Sequence, residues 1–177
     1  MKKVISLIVI FLLIMISGCE KVDKGNYQPG TYFSFDEETK YSVVMYVDKE
    51  GSIKSLFFDA IHLIDCDDPD IIDDSCKIIT KQALGNDYGM KIASPINKEW
   101  YEQVESFSNK VILEQDMEWL EFKYRIRNAD GQYEFTKEQP EGQTKKDKAY
   151  TDSVAGVTIY VDNLSKLVND VLNQAKK

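Results

Sequence analysis

Hydrophobic and polar positions change their period several times along this chain, and each period predicts an element. Between Tyr41 and Val47 the period is two: Tyr41, Val43, Met45 and Val47 share one face of a strand. Asp48-Lys49-Glu50-Gly51 forms a turn, and Ser52 to Phe58 returns antiparallel. Thr31 to Phe35, rich in aromatics, adds a strand before this hairpin. A second hairpin runs from Trp119 to Arg127, with Leu120, Phe122, Tyr124 and Ile126 facing one way and Glu121, Lys123, Arg125 and Arg127 the other. Asn128-Ala129-Asp130-Gly131 turns it, and Gln132 to Thr136 closes it. The alternation predicts one buried face and one wet face.

The period lengthens twice. Trp100, Val104, Phe107 and Val111 form one stripe of a helix predicted from Lys98 to about Leu113, with Asn97 as its N-cap. Leu164, Leu167, Val168, Val171 and Leu172 form the stripe of a second helix, Val161 to Gln174, capped by Asp162. Leu84-Gly85-Asn86-Asp87-Tyr88-Gly89-Met90 and Ser94-Pro95 read as turns leading to the first helix. Lys137 to Lys148, polar and holding Pro140 and Gly142, reads as a mobile loop. The predicted fold is α+β: a mainly antiparallel sheet of hairpins packed by two helices.

The N-terminal stretch stands outside this pattern. Lys2 and Lys3 precede an apolar run, Val4 to Ile16, broken only by Ser6 and ending at Ser17-Gly18-Cys19. The run is shorter than the roughly 20 apolar residues a spanning helix needs, and it has the build of a signal peptide. Its end resembles a lipobox, which implies cleavage after residue 18, a diacylglycerol thioether on Cys19, and anchoring to the outer face of the cell membrane. Residues 1–18 are then leader, 19–28 a polar tether and 29–177 one domain. The residues after the leader, in a chain 43% hydrophobic and 11% aromatic, suffice for one core.

Charge narrows the partners. The chain carries −8, and loss of Lys2 and Lys3 with the leader leaves −10. Such a surface repels phosphate backbones, so nucleic acid is not an expected partner. The densest acidic stretch, from Asp59 to Lys77, contains Asp65, Asp67, Asp68, Asp70, Asp73 and Asp74 together with Cys66 and Cys76. Counted from Asp65, an EF-hand loop fails: Asp70 stands where Gly is required and Cys76 where the bidentate Glu belongs. His62, Cys66 and Cys76 match no common zinc spacing and lack a fourth ligand. No metal site is therefore predicted. With Cys19 lipidated, Cys66 and Cys76 are the two thiols left in an exported chain, which favours a disulfide worth roughly 3 kcal/mol.

Candidate chemistry gathers near residue 158. Asp152-Ser153-Val154-Ala155-Gly156-Val157-Thr158 precedes the last helix. A Gly two residues before a hydroxyl lets the chain turn tightly, and a first helical turn attracts phosphate. Residues 156–161 also fit a plain strand, with Val157, Ile159 and Val161 alternating against Thr158 and Tyr160. The stretch resembles the flavin attachment loop of the FMN-binding domain family: Asp, two free positions, Ser or Thr, Gly, Ala, Thr. Asp152, Gly156 and Thr158 match, whereas Ala155 stands at the hydroxyl position and the branched Val157 at the Ala position, beside the acceptor. Gly30-Thr31-Tyr32 and Ile53 resemble that domain's opening hairpin. Tyr88-Gly89-Met90 and Glu99-Trp100-Tyr101-Glu102-Gln103 resemble a block in surface lipoproteins of low-GC Gram-positive bacteria. The resemblance implies FMN joined covalently to Thr158 by a flavin transferase, Asp152, Ala155, Gly156 and Val157 shaping the loop, and Tyr88 and Met90 against the ring. It implies an electron carrier between a membrane quinone-linked donor and extracellular acceptors. The same family includes members whose signal-peptide ends act as pheromones, and Phe11 to Gly18 resembles such an octapeptide. A flavin-free binding lipoprotein is therefore the alternative.

Overall fold

The computed structural model describes residues 25–64, 77–140 and 149–177. The leader with Cys19, the acidic run with Cys66 and Cys76, and residues 141–148 of the predicted mobile loop lie outside the described residues.

Four antiparallel strands form the main sheet, in the order β1 (Gly30–Phe35), β2 (Tyr41–Val47), β3 (Ile53–Ile64) and β4 (Lys77–Thr80). The first hairpin forms as its alternation predicts. Val43, Met45 and Val47 of β2 and Ile53, Leu56 and Phe58 of β3 are buried on one face. Strand β3 runs past the predicted Phe58 to Ile64, because Ile61 to Ile64 find partners in Thr80 to Lys77 of β4.

Two helices cover that face. After the short α1 (Lys81–Leu84) and two 3-10 turns come α2 (Trp100–Glu114) and, at the far end of the chain, α3 (Asp162–Ala175). The α2 stripe packs on β3 and the α3 stripe on β1 and β2. Each Val, Leu or Phe removed from water there contributes roughly 1.5–3 kcal/mol before entropic costs. The other face of the sheet carries exposed apolar groups: Phe33, Val44 and Phe57 are register neighbours across β1, β2 and β3.

Both helix starts differ from their predictions. Asn97 has φ +53°, the left-handed region, and Glu99 caps α2 through a capping box with Glu102. Asp162 is the first residue inside α3 rather than its cap, and Val161 holds the cap position.

A smaller sheet has the order β6 (Tyr133–Thr136), β5 (Lys123–Arg127), β7 (Ala149–Tyr150). The strand expected from Trp119 starts only at Lys123. Upstream of it, Leu120 N–H donates to the Met117 carbonyl in a turn at 3.1 Å. The Glu121 backbone is taken by side chains: Thr151 Oγ1 donates to its carbonyl at 2.7 Å, and its N–H donates to Ser153 Oγ at 3.0 Å.

The start of the described chain is fastened at two places. Gly25 and Tyr27 donate N–H bonds to the Glu50 and Gly51 carbonyls, at 2.8 and 3.2 Å, and Gln28 donates to the Ala175 carbonyl at 2.7 Å. Tyr27 also bridges to Lys176.

Candidate functional site

Residues 151–160 leave the small sheet and come back to it. Val161 N–H donates to the Ala149 carbonyl at 2.8 Å, which closes the segment at its base. Val154 and Val157 turn inward and are buried in the main core. Ends that meet and side chains that pack beneath make this an Ω-type loop, and it is not the strand that its alternation also fits. Val157 therefore adds its bulk to the interior and not beside the Thr158 hydroxyl. Ala155 is exposed.

The front of the loop is pinned to the segment before β5. Besides the two bonds to Glu121, Ser153 N–H donates to Thr151 Oγ1 at 3.0 Å. Asp152 forms an ion pair with Lys123. A cavity of about 500 Å³ opens here, lined by Phe122, Lys123, Phe135, Lys137, Asp152 and Ser153 among others. Behind it, Tyr150 packs against Phe135 and Tyr160, with ring centroids 5.4 and 4.7 Å apart. Burial, and next the hydrogen bond with Tyr160, pushes the Tyr150 phenol up to about 12.

The back of the loop meets α2. Gln103, fully buried on that helix, accepts from Thr158 twice: from the backbone N–H at 2.8 Å and from Oγ1 at 3.1 Å, both on Oε1. Its Nε2 donates to the Lys98 carbonyl at 3.2 Å, and also contacts Ser94 Oγ and Met90 Sδ at 3.4 and 3.6 Å. Met90 is held in turn by Glu99, whose buried carboxylate accepts the N–H groups of Met90 and Lys91 at 2.9 and 3.0 Å. Buried polar atoms that are all bonded fix a single arrangement.

Gly156 has φ +84°, which an L side chain rarely adopts. The space beside it is filled by a cation: a Cβ at 156 would lie 2.7 Å from Lys98 Nζ and 3.4 Å from Ser106 Oγ. Lys98 Nζ donates to Ser106 Oγ at 3.3 Å, while Ser106 gives its own proton to the Glu102 carbonyl at 2.9 Å. No carboxylate pairs with Lys98 among the described residues.

The structure thus brings together Thr158, Gly156 and Met90, and joins them through Gln103 and Lys98. Asp152 sits at the opposite edge of the loop. Tyr88 is engaged elsewhere: its ring lies 5.3 Å from that of His62 and 5.0 Å from Lys81 Nζ, which also faces the Tyr41 and Trp100 rings. The role of Gln103 had a signal in the sequence, since it stands three residues after Trp100, inside the apolar stripe where a polar side chain must find partners. Lys98, lying before the helix, had none.

No family model matches this chain, and no curated protein and no solved structure is significantly similar to it.

Proposed function

We propose that the chain is a lipid-anchored flavoprotein of the FMN-binding domain type, carrying FMN on Thr158. The observation that carries this proposal is the double hydrogen bond from Thr158 to Gln103, which sets the backbone and the hydroxyl of one residue by one buried acceptor. The acceptor oxygen draws on the hydroxyl proton, the atom that must leave when Oγ1 bonds to phosphorus.

The residues around Thr158 suit the group. Thr158 is only partly buried, Gly156 keeps the backbone open to a bulky ligand, and Lys98 offers positive charge beside the loop. Val157 and Ala155, the two departures from the family pattern, point into the core and into solvent, so neither crowds the acceptor. Attachment forms an Oγ1–P bond and breaks a phosphoanhydride of the flavin dinucleotide donor. The Thr158 proton and a nucleoside monophosphate are released, so the chain gains FMN less one water. A flavin transferase supplies this step, reaching Thr158 from the side of the residue that α2 leaves partly exposed.

When bound, the flavin accepts and donates electrons one or two at a time. The chain's own part is to hold it: Thr158 by the covalent bond, Gln103 by fixing Thr158, and Met90 by placing a polarizable thioether next to Gln103. In this reading the main sheet with helices on one face is the scaffold of an FMN-binding-domain-like fold. The proposed setting is the outer face of the cell membrane, with Cys19 as anchor, a membrane quinone-linked donor and an extracellular acceptor.

Intact mass of the chain made together with a flavin transferase tests the proposal. The expected gain equals FMN minus water, is lost in Thr158→Ala, and survives in Thr158→Ser. An unmodified mass and a colourless sample would sink it and favour a flavin-free binding lipoprotein.

A further inference from the structure

We infer that Lys98 is the phosphate-recognition residue of the loop, its ammonium taking the phosphate monoanion of a flavin nucleotide as that phosphate meets Thr158. This deepens the proposed attachment at Thr158 and rests on it.

Three observations converge on Lys98. The first is position. Its Nζ occupies the space over Gly156 that a side chain at 156 would claim. Gly156 and Thr158 are two residues apart, at most about 7 Å along an extended chain, and phosphorus on Oγ1 extends the reach by one more bond. The second is coupling. Gln103 holds the Lys98 carbonyl with Nε2 and the Thr158 amide and hydroxyl with Oε1, so one buried side chain fixes the cation's backbone relative to the acceptor. The third is valence. An ammonium has three N–H donors, and Ser106 takes one at 3.3 Å. The carboxylates on the same turn are otherwise engaged: Glu99 with the Met90 and Lys91 amides, Glu102 with the Glu99 amide.

Charge makes such a residue necessary. A chain of net charge −8 repels nucleotides over most of its surface. A local cation, unneutralised by any carboxylate among the described residues, restores attraction at the one place where the ligand must dock. Ser106 cannot serve as the anion's donor, because its proton is committed to Glu102. It acts as the rest that aims Lys98.

The test compares wild type, Lys98→Gln and Lys98→Arg as full chains in detergent, by the rate of mass gain with purified flavin transferase and its flavin dinucleotide donor. Loss of a charge-assisted contact is expected to slow Lys98→Gln about tenfold or more, while Lys98→Arg, which keeps the charge, stays within about threefold. Lys98→Gln modified at the wild-type rate overturns the inference. A wild type that gains no mass would instead refute attachment at Thr158. Lys98 is then judged by the Gly156 amide resonance during titration with inorganic phosphate. A shift present in wild type and absent in Lys98→Gln supports anion recognition, and equal shifts or none overturn it.

Discussion

At the scale of single residues, the site depends on a glutamine more than on the threonine it presents. Truncating Gln103 to Ala leaves the Thr158 amide and hydroxyl without their acceptor and opens a gap beneath the loop. A loss of about 1–3 kcal/mol is expected in urea denaturation of the flavin-free chain, and the Thr158 amide should exchange with solvent about tenfold faster or more. A Thr158 amide as well protected as in wild type would show that the loop is held without Gln103, by its buried valines and its bonds to Glu121 and Ala149. That Asp152, Gly156 and Thr158 share one loop was legible in the sequence because their offsets are local. Gln103 and Thr158 are 55 residues apart, and no local period relates a helical amide to a loop hydroxyl. Lys98 was illegible for the same reason, since its partner in space is the missing side chain of a glycine.

At the scale of elements, alternation was a sound guide where a strand had a strand beside it. The β1–β2–β3 hairpins follow it closely. It misled at Trp119 to Phe122, where Thr151 and Ser153 take the hydrogen bonds of Glu121, and at residues 156–161, where two inward valines anchor a loop instead of a strand. Helix stripes were legible throughout, whereas helix starts were not, because a cap is decided by tertiary partners as well as by residue type. Glu99 shows this: it caps α2 and also receives the preceding turn's amides. Glu99→Ala should therefore cost more than a lost cap, about 2–4 kcal/mol in denaturant midpoint terms. Glu99→Gln, which keeps one acceptor oxygen, should cost less.

At the scale of the whole molecule, helix α3 is held to the sheet by polar contacts as well as by its apolar stripe. Asp36, just past β1, pairs with Lys166 of α3, Ser34 Oγ donates to Asp170 at 3.2 Å, and Gln174 Nε2 donates to the Phe33 carbonyl at 3.1 Å. The Lys166 hydrogen bond, helped by the Thr39 amide, lowers the Asp36 carboxyl from 3.8 to about 2. As pH falls, the unfolded chain takes up this proton first. The pair's stabilisation is thus complete at neutral pH and is lost between about pH 4 and about pH 2. Lys166 is 63% exposed, so screening holds the contribution to about 1 kcal/mol. Thermal melts across that interval should show this loss in wild type and a shallower slope in Asp36→Asn; identical slopes would remove the pair from the acid response.

The double fastening of residues 25–28 has a mechanical meaning for a domain proposed to hang from a lipid. A pull arriving at Gly25 meets the β2–β3 turn and the last turn of α3 together, because Gly25, Tyr27 and Gln28 are bonded to both. Three backbone hydrogen bonds and the bridge of Tyr27 to Lys176 stand between such a pull and the rest of the domain. Tension on the tether would be borne at this pole, while the loop bearing Thr158 lies at the other end of α3, a helix about 21 Å long at 1.5 Å per residue. Tugging by the cell surface would thus strain the mooring before it disturbed the loop that carries Thr158.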